Sequence, residues 1–392
     1  MKISIRSLAP LPTLLAGPLL AQELWTDPAD AGLPADFTIQ GEYAGEVAKK
    51  GGQAAEKLGA QVIALGAGRF QAVLHPGGLP GAGWDGKNKS LLDGRLDGKT
   101  ARFEAAAGKR KYLAQSADEF SATESFPPAG QQAAKGSIAK GRFTGTLADG
   151  RAFTLERTVR KSPTLGAEPP AGAIVLFDGA EGAMKNWSGG RFDEKTGLLN
   201  TDGKDIRTSD KFLDYTMHIE FLLPYKPGAR GQGRGNSGFY HVDLYEMQIL
   251  DSFGLAGMDN ECGGIYKTKR PAVNMCLPPL QWQTYDVEFT SAKMGANGEK
   301  TANAILTAKH NGVMIHDGLV HREVWDGQLA ALAAQHRLVR YDRRGYGRSP
   351  QPEGRYSNLD DLQRLLEHLD IEQAVLVGMS SGGRLAVNFA IA

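Results

Sequence analysis

Cysteine is almost absent from this chain: 392 residues contain two, Cys262 and Cys276. Two thiols alone cannot build a structural zinc site, which usually takes four ligands. They can pair, and a disulfide closing a loop of this size contributes about 3 kcal/mol. They can equally remain two buried free thiols, and the sequence leaves both states open. An excess of either charge is also lacking: 45 basic and 44 acidic side chains leave +1, so no nucleic-acid partner is expected. No apolar run is long enough to cross a bilayer, so no membrane span is expected. Nor is a nucleotide cofactor.

Glycine, by contrast, is plentiful, with 50 residues marking many turns. The length allows two or three domains. At the N-terminus Lys2 and Arg6 precede the apolar "LAPLPTLLAGPLLA", and Ala21 offers a small residue for cleavage. That pattern predicts a signal peptide over 1–21 and a periplasmic or secreted protein, although Leu19 and three prolines depart from it. The alternative is a disordered N-terminal tail.

From 36 to 160, segments such as "AQVIALGAGRFQAVLHPGG" and "GRFTGTLADGRAFTLERTV" are β-formers broken by Gly or Asp-Gly. This spacing predicts an antiparallel β domain, a meander or small barrel, with a structural or binding role. His75, Trp84 and Asp85 lie near one turn-rich stretch but form no catalytic constellation. A Pro/Gly/Ala linker spans 161–172. Strand-rich sequence resumes over 173–317, where "TMHIEFLL" places Met217, Ile219 and Phe221 or Leu222 inward and His218 and Glu220 outward. That fits a β-sandwich. Over 318–392 the texture alternates: "EVWDGQLAALAAQ" and "SNLDDLQRLLEHL" read as helices, "HRLVRYD" and "AVLVG" as buried strands of a parallel sheet. The expected fold class is therefore mainly β, followed by a partial α/β-hydrolase fold.

Polar chemistry is densest between Arg230 and Asp286. In "YEMQILD", Glu246 and Gln248 share one strand face, opposite the apolar Met247 and Ile249. They project to solvent or into a groove, and Asp251 ends the strand. Tyr240 and His241 lie one hairpin away, and "GARGQGRGN" sets Arg230, Arg234 and Asn236 on a glycine-rich loop suited to hydroxyl-rich or anionic ligands. Any one outward carboxylate is more often simply solvated. The convergence of acids, amides, arginines and Trp282 in one region favours a site.

The segments "LFDG…W", "PYKPGARGQGRGNSGFY", "YEMQILDSFG", "DNECGGIY" and "PPLQWQTYDVEFT" resemble the 3-keto-disaccharide hydrolase domain family over about 172–317. The resemblance implies a concanavalin-like jelly roll and action on 3-keto-glycosides. A ketone at C3 acidifies the C2 proton; a base removes it, the C1 aglycone is eliminated and water adds back. Such chemistry needs a base, an acid for the leaving oxygen and something cationic on the enolate, either a divalent metal ion or an arginine. Glu246 is the candidate base. Asp251, Glu261 or His241 are candidate acids or metal ligands. Arg230, Arg234, Asn236, Tyr240 and Gln248 are candidates to bind the sugar, with Trp282 stacking on its ring. The same family leads one to expect further strands after "HNGVMIHD", and without them one sheet edge is unpaired. The rival reading is a non-catalytic sugar-binding β protein.

The tail carries a second resemblance. "HDGLVHREVWDGQLAALAAQHRLVRYDRRGYGRS" followed by "VLVGMSSGG" is similar to the front half of an α/β-hydrolase. This implies Ser380 as nucleophile in G-x-S-x-G, with Gly318 and the Ser381 amide near the oxyanion. The family order is Ser, then Asp or Glu, then His, and no Asp, Glu or His follows Ser380 in this sequence. A serine esterase is therefore a third reading, expected to be inactive. "GVMIHDG" serves both resemblances at once, suggesting a composite joined across a shared stretch.

Overall fold

The computed structural model of the chain describes residues 24–48, 55–316, 332–334, 336–344, 349, 356–378 and 381–391. The expected signal peptide lies outside them. A short helix, α1 (Ala35–Ile39), leads into β1 (Gly41–Val47), β2 (Glu56–Gly66), β3 (Arg69–Pro76), β4 (Ser90–Asp97) and β5 (Thr100–Ala105). Two short strands, β6 (Lys111–Tyr112) and β7 (Phe120–Ser121), pair in parallel across the next connection. Then come β8 (Ala134–Ala139), β9 (Arg142–Leu147) and β10 (Ala152–Thr158). β1–β5 and β8–β10 close into an eight-stranded antiparallel barrel, β10 pairing back onto β1. The meander-or-barrel expectation resolves as the barrel.

Period-two patterning explains how the barrel is filled. In β5 Ala101 and Phe103 are buried between exposed Arg102 and Glu104, and in β10 Phe153 and Leu155 alternate with exposed neighbours. Phe143 sits at the centre, 5.0 Å from the Phe103 ring and 5.3 Å from that of Phe153. An eight-stranded barrel is just wide enough for side chains to fill. Gly94 is required here: a Cβ would stand 2.4 Å from the Phe103 ring.

β2 and β3 do not alternate in burial, because both their faces are covered. Val62, Ala64, Ala72 and Leu74 point into the barrel, while Ile63, Leu65 and Val73 join a second core with residues from beyond 220. Burying each of these outward side chains contributes about 1.5–3 kcal/mol. The barrel wall is thus also one wall of the next unit.

That unit begins with two small two-stranded sheets, β11 (Trp187–Ser188) with β14 (Arg207–Thr208) and, between them in the chain, the hairpin β12 (Arg191–Asp193) with β13 (Leu198–Asn200). Its main sheet is antiparallel, ordered β15 (Tyr215–Leu222), β18 (Trp282–Thr290), β21 (Ile305–His310), β22 (Val313–His316). The hairpin of β16 (Ser237–His241) and β17 (Tyr245–Ile249) forms its own two-stranded sheet, and β19 (Lys293–Met294) pairs with β20 (Lys300–Ala302). Phe221, Tyr285, Val287, Phe289 and Ala308 from the main sheet share one core with Met247 and Ile249 of the hairpin. His218 and Glu220 lie on the other face, as the alternation predicts. The start of the 161–172 linker is packed rather than free: Ser162 is buried with its hydroxyl 2.6 Å from that of Thr284, and the Thr164 hydroxyl donates to Asp286 at 2.8 Å.

In the tail, α2 (Asn358–His368) carries the cap read from its sequence, the Ser357 hydroxyl accepting from the Asp360 amide. α3 (Ser381–Ile391) follows. The expected strands "HRLVRYD" and "AVLVG" are corrected here: the described residues 336–344 and 371–378 contain no strand, and Val375 and Val377 are 92% and 68% exposed. Helical bonds are local to the segment, whereas a parallel strand needs a neighbour brought by a crossover. Most of the expected helix "EVWDGQLAALAAQ" lies outside the described residues.

Candidate active site

The β16–β17 register pairs Tyr240 with Glu246 and Gly238 with Gln248, so these four share the face turned away from the core. The Glu246 carboxylate lies across Gly238, where a Cβ would come within 2.2 Å of Oε1. Only glycine leaves that space. The Tyr240 hydroxyl donates to Glu246 Oε2 at 3.0 Å, and its ring is 51% exposed. The bond to Glu246, with burial second, holds the phenol pKa above its usual value, so it stays protonated and able to donate. Gln248 shares the face but is fully buried beneath the loops carrying Gln232 and Asn260, to which its amide nitrogen donates at 3.0 and 3.2 Å. Its Oε1 has no partner among the described residues.

The other candidates lie elsewhere. His241, one residue from Tyr240, points to the opposite face; its Nδ1 meets the Tyr215 hydroxyl at 2.8 Å and its ring stacks on Phe289. Burial pushes its pKa down to about 4, keeping it neutral. Asp251 is buried and takes both Nε and Nη2 of Arg234, at 2.9 and 2.6 Å. Arg234 Nη1 also donates to the Ala64 carbonyl of β2, and Arg230 Nη2 to that of Leu65. The two arginines are therefore pins between barrel and sandwich rather than groups on an open loop. Burial lowers the Arg230 pKa to about 10. Glu261 is buried too, its Oε2 accepting the amides of Gly257 and Met258 and its Oε1 the hydroxyl of Tyr112 from β6. Burial raises its pKa, opposed by those hydrogen bonds. Asn236 is exposed beside the hairpin. Trp282, 37% exposed, opens β18 on the outer face of the main sheet, opposite Leu222. Gly318 and Ser380 lie outside the described residues, and Ser381 opens α3.

Two groupings were not read from sequence. On the outer sheet face His218 stands between Asp286 (Nδ1 to Oδ1, 2.7 Å) and Glu220 (Nε2 to Oε1, 3.2 Å). The cross-strand pairing of His218 with Asp286 was the missing information. At the interdomain boundary burial lowers the Lys89 pKa to about 8, against the opposing charge of Glu261. Lys89 and Glu261 are 172 positions apart, so no local pattern joins them. Among the described residues no three His, Cys, Asp or Glu side chains converge to hold a metal ion. One carboxylate, a phenol and amides make a poor donor set for a divalent cation.

Residues 172–342 match the 3-keto-alpha-glucoside-1,2-lyase-like domain, and residues 313–392 match the alpha/beta hydrolase family. The chain is 37% identical over 93 residues to 3-oxoadipate enol-lactonase 1 of Acinetobacter baylyi, covering 23% of this chain and 32% of that protein. It is 31% identical over 124 residues to an uncharacterized protein of Mycobacterium tuberculosis, covering 31% and 33%. It thus spans about a third of the length of these relatives. A solved structure of a candidate glycosyl hydrolase from Parabacteroides distasonis is 26% identical, with coverage of 45% of this chain and 74% of that one and a TM-score of 0.34.

Proposed function

We propose that the β16–β17 face cleaves 3-keto-glycosides, with Glu246 as base and Tyr240 as proton donor. The observation that carries this is the Tyr240–Glu246 hydrogen bond on an accessible face, with the carboxylate seated over Gly238. Glu246 takes the C2 proton, made acidic by the C3 ketone. The C–H electron pair forms the C1=C2 bond as the C1–O bond breaks, and the aglycone oxygen takes a proton from the Tyr240 hydroxyl. Addition of water across C1=C2 completes a net hydrolysis. Tyr240 takes the acid role because His241, Asp251 and Glu261 are buried in other contacts. The exposed Gln232 side chain, held from below by Gln248, is the group of this pair that can meet a sugar hydroxyl, and the jelly-roll class and a periplasmic or secreted location belong to the same reading.

The test is aglycone release from a 3-keto-disaccharide. Glu246→Gln lowers kcat by about 10²–10⁴-fold, a typical contribution of a positioned base. Tyr240→Phe lowers it less for substrates with a good leaving group than for a sugar aglycone. Full activity in Glu246→Gln overturns the assignment, and tight sugar binding without turnover in the wild type favours the binding-protein reading.

A further inference from the structure

We infer, resting on the reading of Glu246 as base, that Tyr266 is the donor that receives the C3 oxygen of the substrate, assisted by the Lys267 ammonium. The elimination needs such a group. As the C2–H bond breaks, its electron pair spreads over C2, C3 and the C3 oxygen until the C1–O bond gives way and C1=C2 forms. A donor aimed at that oxygen lowers the barrier, because the charge is there only while the reaction passes. Arg230 and Arg234 cannot serve, since both are committed to carbonyls of β2.

Backbone pairing places Tyr266 beside the base. Met247 of β17 bridges Ile265 in the antiparallel sense, and both are buried in the shared core. The Tyr266 amide donates to the Glu246 carbonyl at 2.9 Å, and the Gln248 amide to the Gly264 carbonyl at 2.9 Å. Glu246 and Tyr266 are therefore direct cross-strand neighbours on the face turned away from the core. Tyr240 is the neighbour of Glu246 on its other side, so three paired segments present Tyr240, Glu246 and Tyr266 in one row. The reacting atoms of the substrate come in the same order: the leaving oxygen on C1, the proton on C2 and the oxygen on C3. One phenol serves each flank and the carboxylate serves the middle. A tight turn fixes the second flank. Ile265 and Lys269 exchange two backbone hydrogen bonds, at 2.8 and 2.9 Å, and Lys267 between them is left-handed, with φ 54°. Its ammonium lies 5.3 Å from the centre of the Tyr266 ring. Among the described residues the Tyr266 hydroxyl has no hydrogen-bond partner and the Lys267 ammonium no ion pair, so both are available to a ligand.

The test uses the full chain and two 3-keto sugars. A 3-keto-disaccharide reports aglycone release. A 3-keto sugar whose C1 carries no aglycone reports formation of the enolate alone, through exchange of its C2 proton in D2O followed by NMR. Tyr266→Phe lowers both rates by about 10²–10³-fold, with KM little changed and the near-UV circular dichroism of the wild type. Lys267→Met lowers them by about tenfold, and Lys267→Arg restores them. Tyr240→Phe slows release more than exchange, which separates the two flanks. Full activity in Tyr266→Phe beside an inactive Glu246→Gln overturns this inference and leaves the base standing. A Tyr266→Phe variant that slows release but not exchange overturns it as well. No turnover by the wild type, or full activity in Glu246→Gln, overturns the base assignment and this inference with it.

Discussion

Arg234 and Asp251 lie at the boundary of barrel and sandwich, with side chains 4% and 0% exposed. The guanidinium gives two hydrogen bonds to one carboxylate oxygen and a third to the Ala64 carbonyl. Arg234→Ala removes all three and leaves a buried carboxylate held by the Phe253 amide at 3.3 Å. Breaking one side of a buried pair costs about 3–5 kcal/mol, mostly because the remaining charge has lost its compensation. At about 2–4 °C per kcal/mol for a unit of this size, Tm falls by about 6–20 °C. Thermal unfolding of the full chain, followed by near-UV circular dichroism at pH 7, reads this directly. The mechanism also makes a second demand. The double variant Arg234→Met with Asp251→Leu removes the charge along with its partner and recovers more than half of the loss. A single variant within about 1 kcal/mol of wild type, or a double variant as unstable as the single one, refutes the argument from an uncompensated charge.

Tyr112→Phe removes one of three donors to Glu261 and destabilises by about 1–3 kcal/mol. Since burial raises the Glu261 pKa, its favourable contribution is full below its ordinary pKa and lost as pH rises through the folded one; the variant's deficit is larger at pH 7 than below pH 4, which urea unfolding at both values checks. Burial disfavours a charged His218, but the Asp286 and Glu220 carboxylates outweigh it and raise its pKa, so its stabilisation is present below 6.5 and lost as pH rises through the folded value. A proton NMR titration finds His218 above 6.5 in the wild type and lower in Asp286→Asn. Gly94→Ala forces a methyl against the Phe103 ring and costs about 1–3 kcal/mol of unfolding free energy, read from urea unfolding.

What the sequence makes legible here is whatever is local. The alternation in β15 assigned Met217 and His218 to opposite faces, and the Ser357 cap marked the start of α2. The shared face of Glu246 and Gln248 follows from the same period. The burial of Gln248 does not, because the residues that cover it, Gln232 and Asn260, come from separate loops. A glycine-rich stretch made Arg230 and Arg234 look like open ligand-binding groups. Their acceptors on β2 lie 165 and 170 positions upstream, beyond any local pattern. For the same reason the both-sided burial of β2 and β3 shows only as an apolar run, without naming what lies outside the barrel.

The two family matches overlap over 313–342, and the fold bears on what that overlap means. β22 begins at Val313 and is part of the sandwich: it pairs with β21, Ile315 is buried in the shared core, and the Ile315 carbonyl accepts from Ala272. His316 Nε2 also meets the Gly263 carbonyl at 2.6 Å, fixing the strand to the turn that carries Cys262. One side of this edge strand is committed to the antiparallel ladder and its Ile315 face to the shared core, which assigns it to the sandwich. Sequence similarity to the hydrolase thus starts inside an element that the fold assigns to the sandwich. The 172–316 unit, together with its barrel wall, is the part whose chemistry can be tested on its own terms.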